Sequence, residues 1–391
     1  MVFGLSDFLT ERVPALQKAV YVLAFTTIYV LFTIKYYYGP DIVNYYDHYE
    51  SIKSVAYVWA HPQQYAFERG YTLFIAILKS WGISLYWITA IISTIYFAAI
   101  WLLFKQIPRK RSFALMLLVL FDYSLIYAAL RQCLAVAFFI FMILDLQKRR
   151  YFPVLIWGVL AASMHKSGIF VVPLCLLAHI LHNYKIAPWV FQILMLVLGI
   201  MLVLPVSKVA SGVFDFLPSG FTASLILHLK LGKQIQSVWI VYAMVVVCIE
   251  YYLHFSREKW SGIALVSVIG IAVCVVFYQY FFLLNRLRSY FIPFILVWGF
   301  SLVQKAEDSA YQIPYAQLMK QVACLVLILF SFRLLSVFVK TSAQLHTPIY
   351  EVCTIFDIHQ GKVKALQERQ LKRANAFWQY DFMAHEQNFI Q

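Results

Sequence analysis

Apolar segments recur along this chain from about residue 19 to residue 340, and that recurrence constrains the fold more than any other feature. A helix needs about 20 mostly apolar residues to cross a bilayer. Candidate spans lie at 19–37, 84–104, 112–129, 131–147, 152–165, 168–182, 188–205, 237–255, 260–282, 287–304 and 318–340, with a shorter apolar stretch at 70–81. The expected fold is an all-α polytopic membrane protein, a bundle of about 10–12 transmembrane helices. Residues 1–345 form its membrane domain, and 346–391 form a polar, basic tail. The stretch 19–34 lacks a small-residue cleavage site and reads as a retained first helix.

Charged residues make up only 13% of the chain, against roughly 25% in soluble domains. The formal net charge of +14 is placed where membrane topology wants it, in short loops between spans. That placement argues against nucleic acid as a partner and for membrane lipids. The six cysteines fall mostly inside spans without pairing or metal spacing, and read as small apolar packing residues.

The loop charges also orient the bundle. Four cations at 105–111, three at 148–150 and a net one at 257–259 belong on the cytoplasmic side. The spans between them then alternate, and Arg131, His165, the loop 206–236 and Asn285-Arg286-Leu287-Arg288 converge on the outer side. The polar segment 38–69 joins them there. One crossing must connect it to Lys105, so 70–81 is expected to be a re-entrant or interfacial half-helix. Strict alternation would put the tail outside, whereas its cations favour the inside.

Two polar interruptions in this apolar background mark the candidate site: Leu130-Arg131-Gln132 and Met164-His165-Lys166-Ser167. A central arginine or lysine costs roughly 2.5–3.5 kcal/mol in a membrane unless it pairs, reaches water or serves a site. Arg131 is read either as a snorkelling residue or as a planar fork for phosphate or a sugar hydroxyl. His165 is either a satisfied interfacial histidine or a group that accepts a proton or binds phosphate. Asp41, after Gly39-Pro40, and Glu68, before the half-helix, could activate a sugar hydroxyl or pair with Arg131. Asp122 would pair with a buried cation or a tyrosine hydroxyl. Arg286 and Arg288 cannot share one helical face, so at least one points toward the bundle. The 27 tyrosines and 10 tryptophans suit an interfacial belt. No Gly-rich phosphate loop, H-E-x-x-H, G-x-S-x-G or paired-cysteine site is present, so no cofactor or metal is expected.

These pieces, in this order, resemble the EpsG family of Wzy-like polysaccharide polymerases. The resemblance rests on Gly39-Pro40-Asp41 with Tyr45, Glu68-Arg69-Gly70-Tyr71, Arg131-Gln132 with Ala135, His165-Lys166-Ser167, Arg286-Leu287-Arg288-Ser289-Tyr290 and Pro348-Ile349-Tyr350, and covers roughly 39–350. It implies a glycosyltransferase of the bacterial inner membrane, with a GT-C-like arrangement as one form the fold could take. It also implies joining of undecaprenyl-diphosphate-linked oligosaccharide units into exopolysaccharide, capsule or O-antigen at the outer face. On that reading Arg131, Gln132, Lys166, Arg286 and Arg288 bind the substrate and its diphosphate, and His165, Glu68 and Asp41 are the catalytic candidates. A flippase and a chain-length regulator of the same pathway would be neighbours. The competing readings are a flippase for lipid-linked sugars, a membrane acyltransferase, and a structural partner of an assembly complex.

Overall fold

The computed structural model describes residues 2–10, 13–35, 41–183, 262–276 and 281–309, with isolated positions 368 and 372. Its helices are α1 (Val2–Leu9), α2 (Pro14–Thr33), α3 (Ile42–Ser51), α4 (Val55–Ala60), α5 (Arg69–Ser80), α6 (Leu85–Phe104) and α7 (Arg111–Ala128). They continue with α8 (Leu130–Gln147), α9 (Tyr151–Met164), α10 (Lys166–Asn183), α11 (Gly262–Val276) and α12 (Phe281–Ser309). Among the described residues no strand occurs, and α2, α6 and α8 are long and apolar enough to cross a membrane. Eight of the expected spans correspond to α2 and α6 to α12. Those at 188–205, 237–255 and 318–340, the loop 206–236 and nearly all of the tail lie outside the described residues.

Aromatic packing sets the helix directions. Tyr21 stacks on Trp101 at 5.3 Å, while Phe32 meets Phe97 and Tyr29 reaches Thr94. Helices α2 and α6 are therefore antiparallel. Helices α8 and α9 turn back on each other through 148–150: Phe138 stacks on Trp157, whose indole N–H donates to Asp145 at 3.0 Å. Helices α9 and α10 form a second hairpin, in which a Cβ on Gly158 would lie 3.2 Å from Val172 and one on Gly168 2.5 Å from the Ala161 carbonyl. Helix α12 runs alongside α8 in the same direction, with Gln132 against Arg286 and Phe139 against Tyr290 and Phe294.

These directions gather the ends of the bundle into two groups. At one end Gln106 donates to Gln147 at 3.1 Å, and Gly262 abuts the same glutamine. The basic loops at 105–110 and 148–150 therefore share an end with the start of α11. Helix α1, which the apolar pattern does not reveal, docks there too. Its Asp7 Oδ2 accepts from the Phe113 N–H at 2.9 Å, satisfying one of the donors left open at the start of α7.

The opposite end carries 41–69 and the junctions at 129–131 and 165–167. Helix α5 belongs entirely to it. Its start packs on α9 at Ser163, and at its finish the Lys79 ammonium donates to the carbonyls of Tyr49, Glu50 and Ile52. The apolar stretch read as a half-span is thus a 12-residue helix that begins and ends on one side of the bundle.

Two boundaries differ from the sequence reading for physical reasons. Helix α2 starts at Pro14, because proline at N1 carries no donor to leave unsatisfied. Helix α12 runs unbroken through Asn285-Arg286-Leu287-Arg288, so these residues are helix and not loop. Arginine and leucine are good helix formers, and charge interrupts an apolar pattern without breaking a backbone.

Candidate functional site

Glu68 ties three helices together. It occupies the N-cap position of α5 without capping that helix. Its carboxylate reaches outward instead: Oε2 accepts from Arg131 Nη1 at 2.6 Å, and Oε1 from the Lys166 backbone N–H at 3.0 Å. Those donors belong to the first turns of α8 and α10. A carboxylate at a helix N-terminus meets both unpaired N–H groups and the positive end of the dipole. The Arg131 side chain is 20% exposed and that of Glu68 9%, so the pair is mostly shielded from water.

The Arg131 guanidinium is held on further sides. It lies 3.9 Å over the Phe67 ring and forms a hydrogen bond with the Tyr45 hydroxyl. Phe67 in turn packs on His48, whose Nε2 is 3.2 Å from the Thr72 hydroxyl. Tyr45 is buried and Phe67 half-buried, and both support the arginine.

His165 caps α10. It adopts an extended conformation between two helices (φ −153°, ψ 138°), and its carbonyl accepts from Gly168 N–H at 2.9 Å. Its ring nitrogen Nδ1 takes the Ser167 backbone N–H at 3.2 Å. The Ser167 hydroxyl lies 2.5 Å from the same nitrogen and shares a hydrogen bond of 3.1 Å with Tyr290 of α12. The break in the apolar sequence is therefore a helix junction, and the histidine is its cap.

Helix α12 completes the site. Gln132 Nε2 donates to the Arg286 carbonyl at 2.5 Å, which fastens α8 to α12. The Arg286 side chain is exposed and interacts electrostatically with Asp41 and His165. Arg288, two residues on, is turned toward Asp122 and Cys274. Asp122 sits at a local kink in α7 and accepts the Ser289 hydroxyl at 2.5 Å; its other oxygen has no hydrogen-bond partner. Of the residues read from sequence, Glu68, Arg131 and the Lys166 backbone meet directly, and His165 interacts with Glu68 and Arg131 electrostatically. Asp41 and Arg286 join them through their charges. Gln132 serves the helix contact, Arg288 lies with Asp122, and the Lys166 side chain is exposed.

The electrostatics separate the two candidate carboxylates. Burial works against ionisation of Glu68, but Arg131 and, less strongly, His165 outweigh it and hold the carboxyl below the usual glutamate value. Burial raises Asp41 above the usual range despite the opposing charges of Arg131 and Arg286. Burial, reinforced by the Arg131 charge, pushes His48 down to about 4. Glu68 is thus held as an anion with both oxygens engaged, whereas burial favours the protonated form of Asp41. Among the described residues no group of three His, Cys, Asp or Glu side chains is placed to hold a metal ion.

Sequence reading did not find Tyr45, Phe67 and Tyr290 as parts of the site. All three stand in or beside the motifs quoted above, but their roles are contacts between segments far apart in sequence.

The model of the EpsG family matches residues 18–348. No curated protein and no solved structure matches the chain.

Proposed function

The chain belongs to the EpsG family of Wzy-like polysaccharide polymerases, integral membrane proteins of exopolysaccharide biosynthesis, and from that premise we propose the reaction its site supports. The substrate is an oligosaccharide repeat unit on undecaprenyl diphosphate, and the protein joins such units at the outer face of the bacterial inner membrane. The basic-loop end faces the cytoplasm, by the excess of Lys and Arg there, and the end bearing Glu68, Arg131 and His165 faces outward.

In this reading a hydroxyl of one lipid-linked unit attacks the anomeric carbon of the chain carried by another. The bond from that carbon to the diphosphate oxygen breaks, and the lipid diphosphate leaves with the electron pair. Arg131 and Arg286, with the exposed Lys166 ammonium at the rim, take up its negative charge. Asp41, which faces the charges of Arg131 and Arg286, receives the proton of the attacking hydroxyl. Glu68 positions Arg131 and the start of α10 and does not take the proton.

The observation that carries the reading is the bridge from Glu68 to Arg131 and to the Lys166 N–H. It brings Arg131 of α8 and the start of α10, which carries Lys166, to the N-terminus of α5 at a single end of the bundle. The test is incubation of the purified full chain with a lipid-diphosphate-linked repeat unit and no nucleotide, followed by a gel of products. A ladder of chain lengths is expected. Normal long-chain polymer from membrane-inserted Arg131→Ala would overturn the assignment, and turnover only with an added acyl donor would favour an acyltransferase.

A further inference from the structure

Among the described large apolar side chains of 41–69, only Trp59 of α4 stays exposed, at 64%. The ring is nevertheless held. The Arg69 guanidinium lies 4.3 Å over it, and Arg69 Nη2 donates to the Trp59 carbonyl at 3.3 Å. With one face covered, that exposure leaves the other face of the indole open. The short helix beneath is braced as well. Ser54 caps it by accepting from the Tyr57 N–H at 3.1 Å, the Tyr57 hydroxyl donates to Gln64 at 2.7 Å, and Val58 is fully buried. The Lys53 ammonium lies 4.3 Å over the Tyr57 ring. Lys53 and Arg69 are exposed, and neither has a carboxylate partner among the described residues. Trp81 and Trp87 are also exposed, but they stand at the start of the apolar α6, where an interfacial belt accounts for them. Trp59 instead lies between Lys53-Ser54 and His61-Pro62-Gln63-Gln64.

We propose that Trp59 and Arg69 form a saccharide-binding platform, on which the glycan being extended rests beside its reacting end. The C–H groups of a sugar ring pack on the electron-rich face of an indole. The N–H groups of Arg69 not spent on the Trp59 carbonyl are free to meet hydroxyl or carboxylate oxygens at the rim. A rigid aromatic side chain loses little freedom when it binds. Position argues for this occupant. Arg69 directly follows Glu68, which bonds Arg131 and the Lys166 N–H, so a single peptide unit joins the platform to the site. The two cations suit a neutral or acidic sugar chain and repel a cationic ligand. The inference rests on the polymerase reading for the identity of the glycan.

Two measurements separate the proposal from that reading. In the polymer assay Trp59→Ala is expected to slow later additions on the order of tenfold more than the first joining of two units, which shortens the ladder. Trp59→Tyr, which keeps a ring, is expected to restore most of the length, and Trp87→Ala to give the native ladder. A native ladder from Trp59→Ala overturns the proposal. The second measurement needs no turnover. The fluorescence of Trp59 is taken as the difference between the native full chain and Trp59→Tyr, both in lipid nanodiscs. It is expected to be quenched by acrylamide from the water and shielded by the repeat-unit oligosaccharide released from its lipid with mild acid. Arg69→Ala is expected to raise the oligosaccharide concentration for half-shielding on the order of tenfold. Quenching by brominated acyl chains marks Trp59 as a membrane anchor and overturns the proposal, as does acrylamide quenching that the oligosaccharide leaves unchanged. Shielding without any ladder from the native protein supports the platform and overturns only the polymerase reading.

Discussion

Gly70 tests whether the α5–α9 contact holds the site together. A Cβ there would lie 2.7 Å from the Ser163 backbone carbonyl and would also collide with the Ser163 side chain. The contact would have to open to 3.4 Å, where ordinary van der Waals separation begins. Because one obstacle is backbone, a rotamer change cannot relieve it, and α5 must move away from α9. Overpacking of this kind costs about 1–3 kcal/mol. The usual gain of roughly 0.5–1 kcal/mol for Gly→Ala in a helix is reduced, because Gly70 stands in the first turn. Glu68 lies two residues upstream, so the same shift lengthens its bonds to Arg131 and to the Lys166 N–H. Misplacement by a fraction of an ångström then lowers polymer formation on the order of tenfold. The control is Gly299→Ala in α12, where a Cβ meets nothing within 4 Å. That variant is expected to gain roughly 0.5–1 kcal/mol. Thermal unfolding of the two purified variants should move in opposite directions, with the product ladder shortened only in Gly70→Ala. A Gly70→Ala protein that melts at or above the native temperature and makes a normal ladder refutes the reasoning.

Three further predictions concern the charges. Glu68→Gln leaves Arg131 without its counter-ion. The cost of about 3–5 kcal/mol for breaking a buried pair falls to roughly 2–3 kcal/mol because the arginine is partly exposed. Since the folded-state value of Glu68 is depressed, its contribution is present above pH 4.5 and lost on acidification through the folded value. The gap between native and variant in urea unfolding should therefore close below pH 4.5; a constant gap would remove the ion pair as its cause. His48 is pushed down to about 4 from 6.5, so the unfolded chain binds a proton in that interval while the folded chain does not. Stability should fall by about 1–3 kcal/mol as pH drops from 6.5 to 4, and His48→Gln should flatten the curve; an equally steep variant would acquit this histidine. Arg286→Ala is expected to reduce polymer without lowering the melting temperature. Arg288→Ala is expected to destabilise by about 1–3 kcal/mol, because Asp122 then lacks its nearby cation. The reverse pattern would exchange the roles given to the two arginines.

Sequence alone reveals those parts of the site whose cost is local. Arg131 and His165 stand out because ionisable groups at breaks in apolar runs need a reason, and the loop charges bring them to one end. The half-helix at α5 follows from parity. What the pattern cannot encode is the partner. Glu68 meets the Lys166 N–H across 98 positions of sequence, and Asp7 meets Phe113 across 106. Phe67 and Tyr45 read as ordinary interfacial aromatics until the guanidinium is seen against them. The continuity of α12 through two arginines is hidden for another reason: hydropathy reports burial, whereas helix breaking depends on backbone groups, which arginine leaves intact.

The pairing of Arg131 with Glu68 has a consequence for turnover. In the proposed reaction the guanidinium meets an incoming diphosphate already neutralised by a resident carboxylate. Binding is then an exchange of one anion for another, and the net charge of the pocket changes less than with an empty cation. Glu68, still held by the Lys166 N–H, stands ready to reclaim Arg131 when the lipid diphosphate departs. The proposed reaction leaves a spent carrier after every addition, and in it a built-in competitor for the arginine would keep that carrier from becoming an inhibitor.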